Sequence, residues 1–352
     1  MPDVRFFTHP QKELEYRRKP LFLCGMASIS IITSVDGIYG SGHASRMAFL
    51  AEFLTGKGHR VSAVCPVRAG GVVPALKPYI RETIPSGTNL IIRDMRDSDE
   101  AEIRMLKEEA PVIAVDDCGD GRTSADMIID CLPNLLDTST LPPLEESPFL
   151  FGYSFALFMK QNREKTFAKD IDLCVYAGQN PSEEYLGKVL SAIPLSETTA
   201  ELIQSALPGT GPRSSPEPGP YAESICITGK GDPVLFGNGA DAKAPASFPE
   251  ALLRSRAVVT HFGVTLFEAS ACGCSLFTVN PGEYHRRLCE RAKDSLGLEN
   301  LGTADGIETV EAKNRIASGA YANRIISTQE IMRTISCCAE NFYSRMTPLL
   351  QD

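Results

Sequence analysis

Two turns in this sequence carry residue types that could do chemistry. The first, Gly40-Ser41-Gly42-His43, has glycines that let a ligand approach the backbone, free N–H groups that attract an anion, and a histidine able to act as a general base near neutral pH. The second runs from His261 through Phe262, Gly263, Val264 and Thr265 to Glu268, between a strand and a helix. Its backbone N–H groups and helix dipole suit a diphosphate, and Glu268, one turn in, could accept from ribose hydroxyls. Each turn also has a plainer reading. His43 could bond only to a neighbouring loop, and Thr265-x-x-Glu268 fits a capping box that closes the first helical turn. Asp116-Asp117 is a candidate carboxylate pair, with the cap of a strand end as the favoured alternative.

Other chemistries lack their residues. The eleven cysteines are odd in number and never reach C-x-x-C spacing, and His9, His59 and His285 have no ligand set around them, so no metal is expected. Gly229-Lys230-Gly231 lacks the third glycine of a dinucleotide fingerprint, and no G-x-x-x-x-G-K-[ST] occurs. These absences argue against a P-loop ATPase and a conventional NAD enzyme, and no cofactor is expected. Lys and Arg total 35 against 44 Asp and Glu, a net charge of −9 that argues against nucleic acid as partner. No stretch is apolar and long enough for an integral membrane segment, and reduced thiols without an N-x-S/T acceptor fit a cytoplasmic chain.

The elements that must position these turns follow from periodicity. Residues 28–35 read as the first parallel strand, and Met47, Leu50, Ala51 and Leu54 define one apolar helix face. Strands are expected at 60–65, 89–93, 111–115 and 127–130, with a charged helix at 97–109. The second half repeats the alternation, with strands at 172–176, 223–228, 257–261 and 275–279 and helices at 182–192, 248–254 and 265–271. This grammar predicts an α/β chain of two Rossmann-like doubly wound domains facing a cleft. We expect an N-terminal extension over 1–25, a catalytic domain over 26–160, a nucleotide-binding domain over 161–326 with a flexible Pro/Gly/Ser-rich insert at 205–220, and a C-terminal helix over 327–352. The joint between the halves is expected near 155–170.

Five runs occur in an order that resembles one family: GSGHASR at 40–46, IAVDDCGDGRTSADMIID at 113–130, FLFGYSFALF at 149–158, YAGQNPSEEYLGKVL at 176–190 and FGVTLFEASACG at 262–273. The chain resembles the UDP-2,4-diacetamido-2,4,6-trideoxy-β-L-altropyranose hydrolases of pseudaminic acid biosynthesis and related spore-coat polysaccharide proteins. These are similar to the two-domain GT-B glycosyltransferases. The resemblance implies a UDP-sugar as the partner molecule, with other enzymes of the sugar pathway as neighbours. It puts the general base on His43, which would activate water at the anomeric carbon.

It also implies a substrate side of Gly40, Ser41, Gly42, Asp94, Asp117, Gly178 and Gln179, and a nucleotide side of Thr228, Gly229, Phe262, Gly263, Val264, Thr265 and Glu268. A glycosyltransferase using the same donor, or a binding protein that has lost catalysis, are the alternatives. The chain departs from the family pattern in four places: Arg96 replaces a substrate-facing tyrosine, Gly178-Gln179-Asn180-Pro181 a Gly-Gly-Ser-Asp, Met159 an arginine, and Gly282-Glu283-Tyr284 the place of an Asn-Gln pair.

Overall fold

A computed structural model describes residues 26–34, 42–66, 73–133, 147–148, 151–178, 181–195, 203, 224–228, 233–237, 244–319 and 326–350. The extension expected over 1–25 and the insert expected over 205–220 lie outside these residues.

The first sheet is built on strands apolar on both faces, as parallel strands covered by helices must be. Its strands are β1 (Ser28–Thr33), β2 (Arg60–Val64), β3 (Leu90–Asp94), β4 (Val112–Val115) and β5 (Met127–Ile129), parallel in the order β2-β1-β3-β4-β5. Ile29, Ile31 and Ile32 of β1 and Leu90, Ile91 and Ile92 of β3 are buried. Ser30, inside the sheet, is satisfied by the hydroxyls of Ser62 and Thr88, each 2.9 Å away. Helix Gly42–Gly56 buries Met47, Leu50, Ala51 and Leu54, the face its spacing predicts. Helix Glu100–Glu109 starts at Asp99, whose carboxylate accepts from the Glu102 N–H.

The second sheet comprises β6 (Ile171–Tyr176), β7 (Ser224–Thr228), β8 (Val234–Gly237), β9 (Ser255–Thr260), β10 (Ser275–Asn280) and β11 (Glu299–Thr303), in the order β11-β10-β9-β6-β7-β8. β8 runs antiparallel to β7, an edge strand that the regular alternation did not predict. β11 also escapes the sequence reading, because only Leu301 of ENLGT is buried and no alternation marks it. Helices Glu283–Leu296 and Thr309–Ser318 complete this half.

Residues 155–161 of the expected joint are helical, within helix Tyr153–Gln161. One apolar cluster joins the two sheets, taking in Ile31 and Ile92 from the first and Cys174, Val258 and Leu276 from the second. The last helix, Thr328–Met346, whose packing partner its loose spacing left open, returns to the first half. Its Thr328 hydroxyl shares one hydrogen between the carbonyls of Asn162 and Lys165, at 2.6 and 2.8 Å. Lys57 pairs with Glu340 at 2.6 Å, and His59 Nε2 lies 2.9 Å from the Tyr343 hydroxyl. Among the described residues no helix is long and apolar enough to cross a membrane.

Candidate active site between the two sheets

Strand order fixes where a ligand can enter. In each sheet the order reverses beside the first strand of its half, between β1 and β3 in one and between β6 and β9 in the other. Such reversals open a crevice beyond the carboxyl ends of the strands. His43 follows β1 and Asp94 ends β3, while Gly178 follows β6 and residues 261–265 follow β9. Gly42 and His43 of the first turn and residues 261–265 of the second therefore come to the two crevices. They meet, because a Cβ placed on Gly42 would lie 3.4 Å from Val264 Cγ2, so the N-termini of helices Gly42–Gly56 and Val264–Ala271 face one another.

His43 is buried and its Nδ1 lies 2.7 Å from Asp94 Oδ1. Burial pushes the Asp94 carboxyl up, but the Arg46 guanidinium and the His43 imidazole more than reverse this and hold it well below the usual carboxylate range. An ionised carboxylate can only accept, so the neutral imidazole carries its proton on Nδ1 and its lone pair on Nε2. Arg46 Nη2, 3.3 Å from the same nitrogen, has a shorter contact of 2.5 Å with Asp94 Oδ1 and does not change that assignment.

Arg46 is one turn along the helix from His43, so both side chains share a face. It grips Asp94 at two points, with Nε 2.7 Å from Oδ2. Its Nη1 also lies 2.5 Å from Asp116 Oδ2, an ion pair whose angle is not that of a hydrogen bond. Burial opposes the Arg46 charge, but Asp94 and Asp116 outweigh it and raise its pKa further. Asp116 Oδ1 accepts from the backbone N–H groups of Cys131 and Leu132, at 2.7 and 2.9 Å.

The pocket between the halves encloses about 60 Å³, with His43 and Arg96 on one wall and Val264, Tyr284 and His285 on the other. Gly42, Phe262 and Gly263 also line it. Asp94 stands behind His43 with no exposure of its own. Asp117 is turned inward: its carboxylate takes Arg93 Nη1 and the N–H groups of Ser98 and Gly119, the work of a turn anchor and not of a substrate ligand.

Gly178 has φ +100°, and a Cβ there would lie 3.1 Å from His261 Nε2, so the turn after β6 requires glycine. Thr228 is buried at the end of β7. Gly40, Ser41, Gln179 and Gly229 lie outside the described residues.

Glu268 differs most from the sequence reading. The capping box does not form, because the helix begins at Val264 with Gly263 as its cap residue and Thr265 already inside. The glutamate instead accepts from the Gly152 N–H at 3.1 Å, while Ser45 Oγ accepts from Tyr153 N at 3.2 Å. Two helices, one from each half, thus cap the N-terminus of Tyr153–Gln161. A Cβ on Gly152 would come 2.9 Å from Glu268 Oε1 and 3.0 Å from Ser45 Oγ, so the close approach selects glycine. Burial pushes the Glu268 carboxyl up to about 7, and the Gly152 N–H offsets only part of that.

Sequence reasoning missed Arg46, Arg96, Tyr284 and His285. Arg46 was legible in principle, at helical spacing from His43. Arg96 and Tyr284 were visible only as departures from a pattern, and nothing local marked His285.

No model of a known protein family matches this sequence, and no curated protein does. Solved structures with a similar course of chain include a protein assigned as a UDP-N-acetylglucosamine 2-epimerase in Listeria monocytogenes. That match is 11% identical, covers 93% of this chain and 98% of the other, and has a TM-score of 0.49. The glycosyltransferase SnogD from Streptomyces nogalater is 14% identical, with 93% and 100% covered and a TM-score of 0.41. An α-glucosyltransferase seen with UDP and a DNA 13-mer is 10% identical, with 93% and 100% covered and a TM-score of 0.41. Likeness of this degree assigns no activity to the chain.

Proposed function

We propose that this protein hydrolyses a UDP-sugar, in the making of a nonulosonic acid or surface polysaccharide. The observation that carries the proposal is the His43–Asp94 contact of 2.7 Å, set in a cleft where two helix N-termini face each other. The base and the anion cradle that such a reaction needs are thus on opposite walls of one pocket. His43 Nε2 takes a proton from water as the water oxygen bonds to the anomeric carbon. The bond from that carbon to the diphosphate oxygen breaks, its electron pair leaves with UDP, and the configuration inverts. N–H groups at the start of helix Val264–Ala271 receive the charge that develops on the diphosphate. Phe262, Gly263, Val264 and Thr265 form that nucleotide side, and Asp94 keeps His43 in the basic tautomer. The order of motifs in the sequence supports UDP as the carrier.

Incubation of the purified chain with a panel of UDP-sugars, followed by proton and phosphorus NMR without acceptor, tests this directly. UDP and free inverted sugar are the expected products. Turnover that appears only on adding an acceptor would make the protein a glycosyltransferase, and UDP binding with no turnover under either condition would make it a binder.

A further inference from the structure

Behind His43 lies more charge than the fold requires. Arg46 is buried and is already neutralised by Asp94, whose two oxygens it meets with Nε and Nη2. A second buried carboxylate, Asp116, nonetheless stands 2.5 Å from Arg46 Nη1. Two carboxylates against one guanidinium leave this buried group with one negative charge in excess, which costs free energy away from water. Asp116 follows β4 with φ +50°, in the left-handed region that residues other than glycine seldom enter. From there Oδ1 accepts from the N–H groups of Cys131 and Leu132, while Oδ2, without a hydrogen bond among the described residues, faces Arg46.

The excess charge finds its balance at one moment of the reaction. Once His43 Nε2 has taken a proton from water, an imidazolium and a guanidinium stand against two carboxylates, and the group is neutral. Arg46 Nη2 lies 3.3 Å from His43 Nδ1, so without Asp116 the same step would set two cations side by side with one carboxylate between them.

We propose that Asp116 is a positioning residue for the reaction at His43, acting through Arg46 and Asp94 to supply the negative charge that the new imidazolium balances. The inference rests on the reading of His43 as general base. Other titratable groups around the four do not supply this charge. The thiols of Cys118 and Cys131, which face Asp116, stay protonated because burial pushes their pKa values up. Across the pocket from His43 stand Arg96, Tyr284 and His285, and burial, with His261 and Arg96 nearby, lowers His285 to about 4.

The test follows the imidazole of His43 by NMR titration of the full chain without substrate, its resonance being the one missing from His43→Ala. Asn at position 116 keeps an acceptor for Cys131 and Leu132 and removes only the charge. In Asp116→Asn the His43 midpoint is expected to fall by about one pH unit, and the acid limb of kcat/KM with it. The double variant Arg46→Met, Asp116→Asn restores one net negative charge, so its midpoint should return to within a few tenths of a unit of the wild type. A His43 midpoint in Asp116→Asn equal to that of the wild type, with only the urea midpoint lowered, makes Asp116 merely structural and overturns the inference. The double variant decides the matter even if Asp116→Asn does not fold. Were Asp116 without effect, loss of the Arg46 cation alone would raise the midpoint by about one unit, and that result too overturns the inference. A wild type that turns over no UDP-sugar refutes hydrolysis, while the charge balance stands or falls on the His43 midpoints.

Discussion

At the scale of residues, Asp94 is the point on which the site's electrostatics converge. Its carboxylate is fully buried, orients His43 and neutralises Arg46. His43→Ala should lower turnover roughly 10²–10⁴-fold, the range for loss of a general base, with the fold retained. Full activity in that variant would falsify the assignment. Asp94→Asn should also lower turnover, and with it stability, because buried Arg46 loses one of its two carboxylates. Removing one partner of a buried pair costs about 3–5 kcal/mol, and the remaining Asp116 contact keeps this case toward the lower end. Urea melts of both variants separate the two effects.

Among the elements, the N-terminus of helix Tyr153–Gln161 has no cap from its own sequence and takes Ser45 and Glu268 from helices of the two halves. Glu268 has a pKa raised from 4.5 to about 7, so the folded chain binds its proton more tightly than the unfolded chain does. Stability from this group is therefore complete below pH 4.5 and is lost as pH rises through about 7, by up to roughly 3 kcal/mol. His59, His261 and His285, whose pKa values fall on burial, contribute in the opposite sense on the acid side. The difference between the wild type and Glu268→Gln isolates the effect, since glutamine keeps an acceptor for Gly152 and cannot titrate. Urea midpoints at pH 5, 6, 7 and 8 should show the variant gaining on the wild type as pH rises, and parallel profiles would refute the buried-carboxyl account. At the C-terminal ends of helices Phe248–Arg254 and Val264–Ala271, Lys169 Nζ donates to the carbonyls of Ser255 and Cys272 at 2.7 and 2.8 Å, placing a positive charge where two helix dipoles end.

For the whole molecule, the return of helix Thr328–Met346 to the first half ties the end of the chain to the sheet that carries His43. The helix buries Ile331, Ile335, Phe342 and Met346, all at 1% exposure or less. Each such side chain contributes about 1.5–3 kcal/mol by leaving water. A chain ending at residue 326 should thus lose an amount comparable to the whole stability margin of an ordinary domain, about 5–15 kcal/mol. Loss of soluble, cooperatively melting protein is the expected outcome; a truncated chain that melts at the original temperature would show that this docking contributes little.

The sequence by itself determined the alternation of strands and helices, the apolar face of helix Gly42–Gly56 and the two turns that end at the cleft. Those features depend on local periodicity and on glycine at strand-to-helix turns, which a linear reading can count. It did not determine β8 or β11, short edge strands that are defined by their pairing with the strand before each, β7 and β10. Tertiary structure alone gave Glu268 a partner that neither reading of its turn held, because that donor, Gly152, is 116 residues away. It also turned two isolated departures from a sequence pattern, Arg96 and Tyr284, into one stacked pair. A carboxylate, a guanidinium and a phenol take their chemistry from what lies within a few ångströms, and that neighbourhood exists only once both sheets have folded against each other.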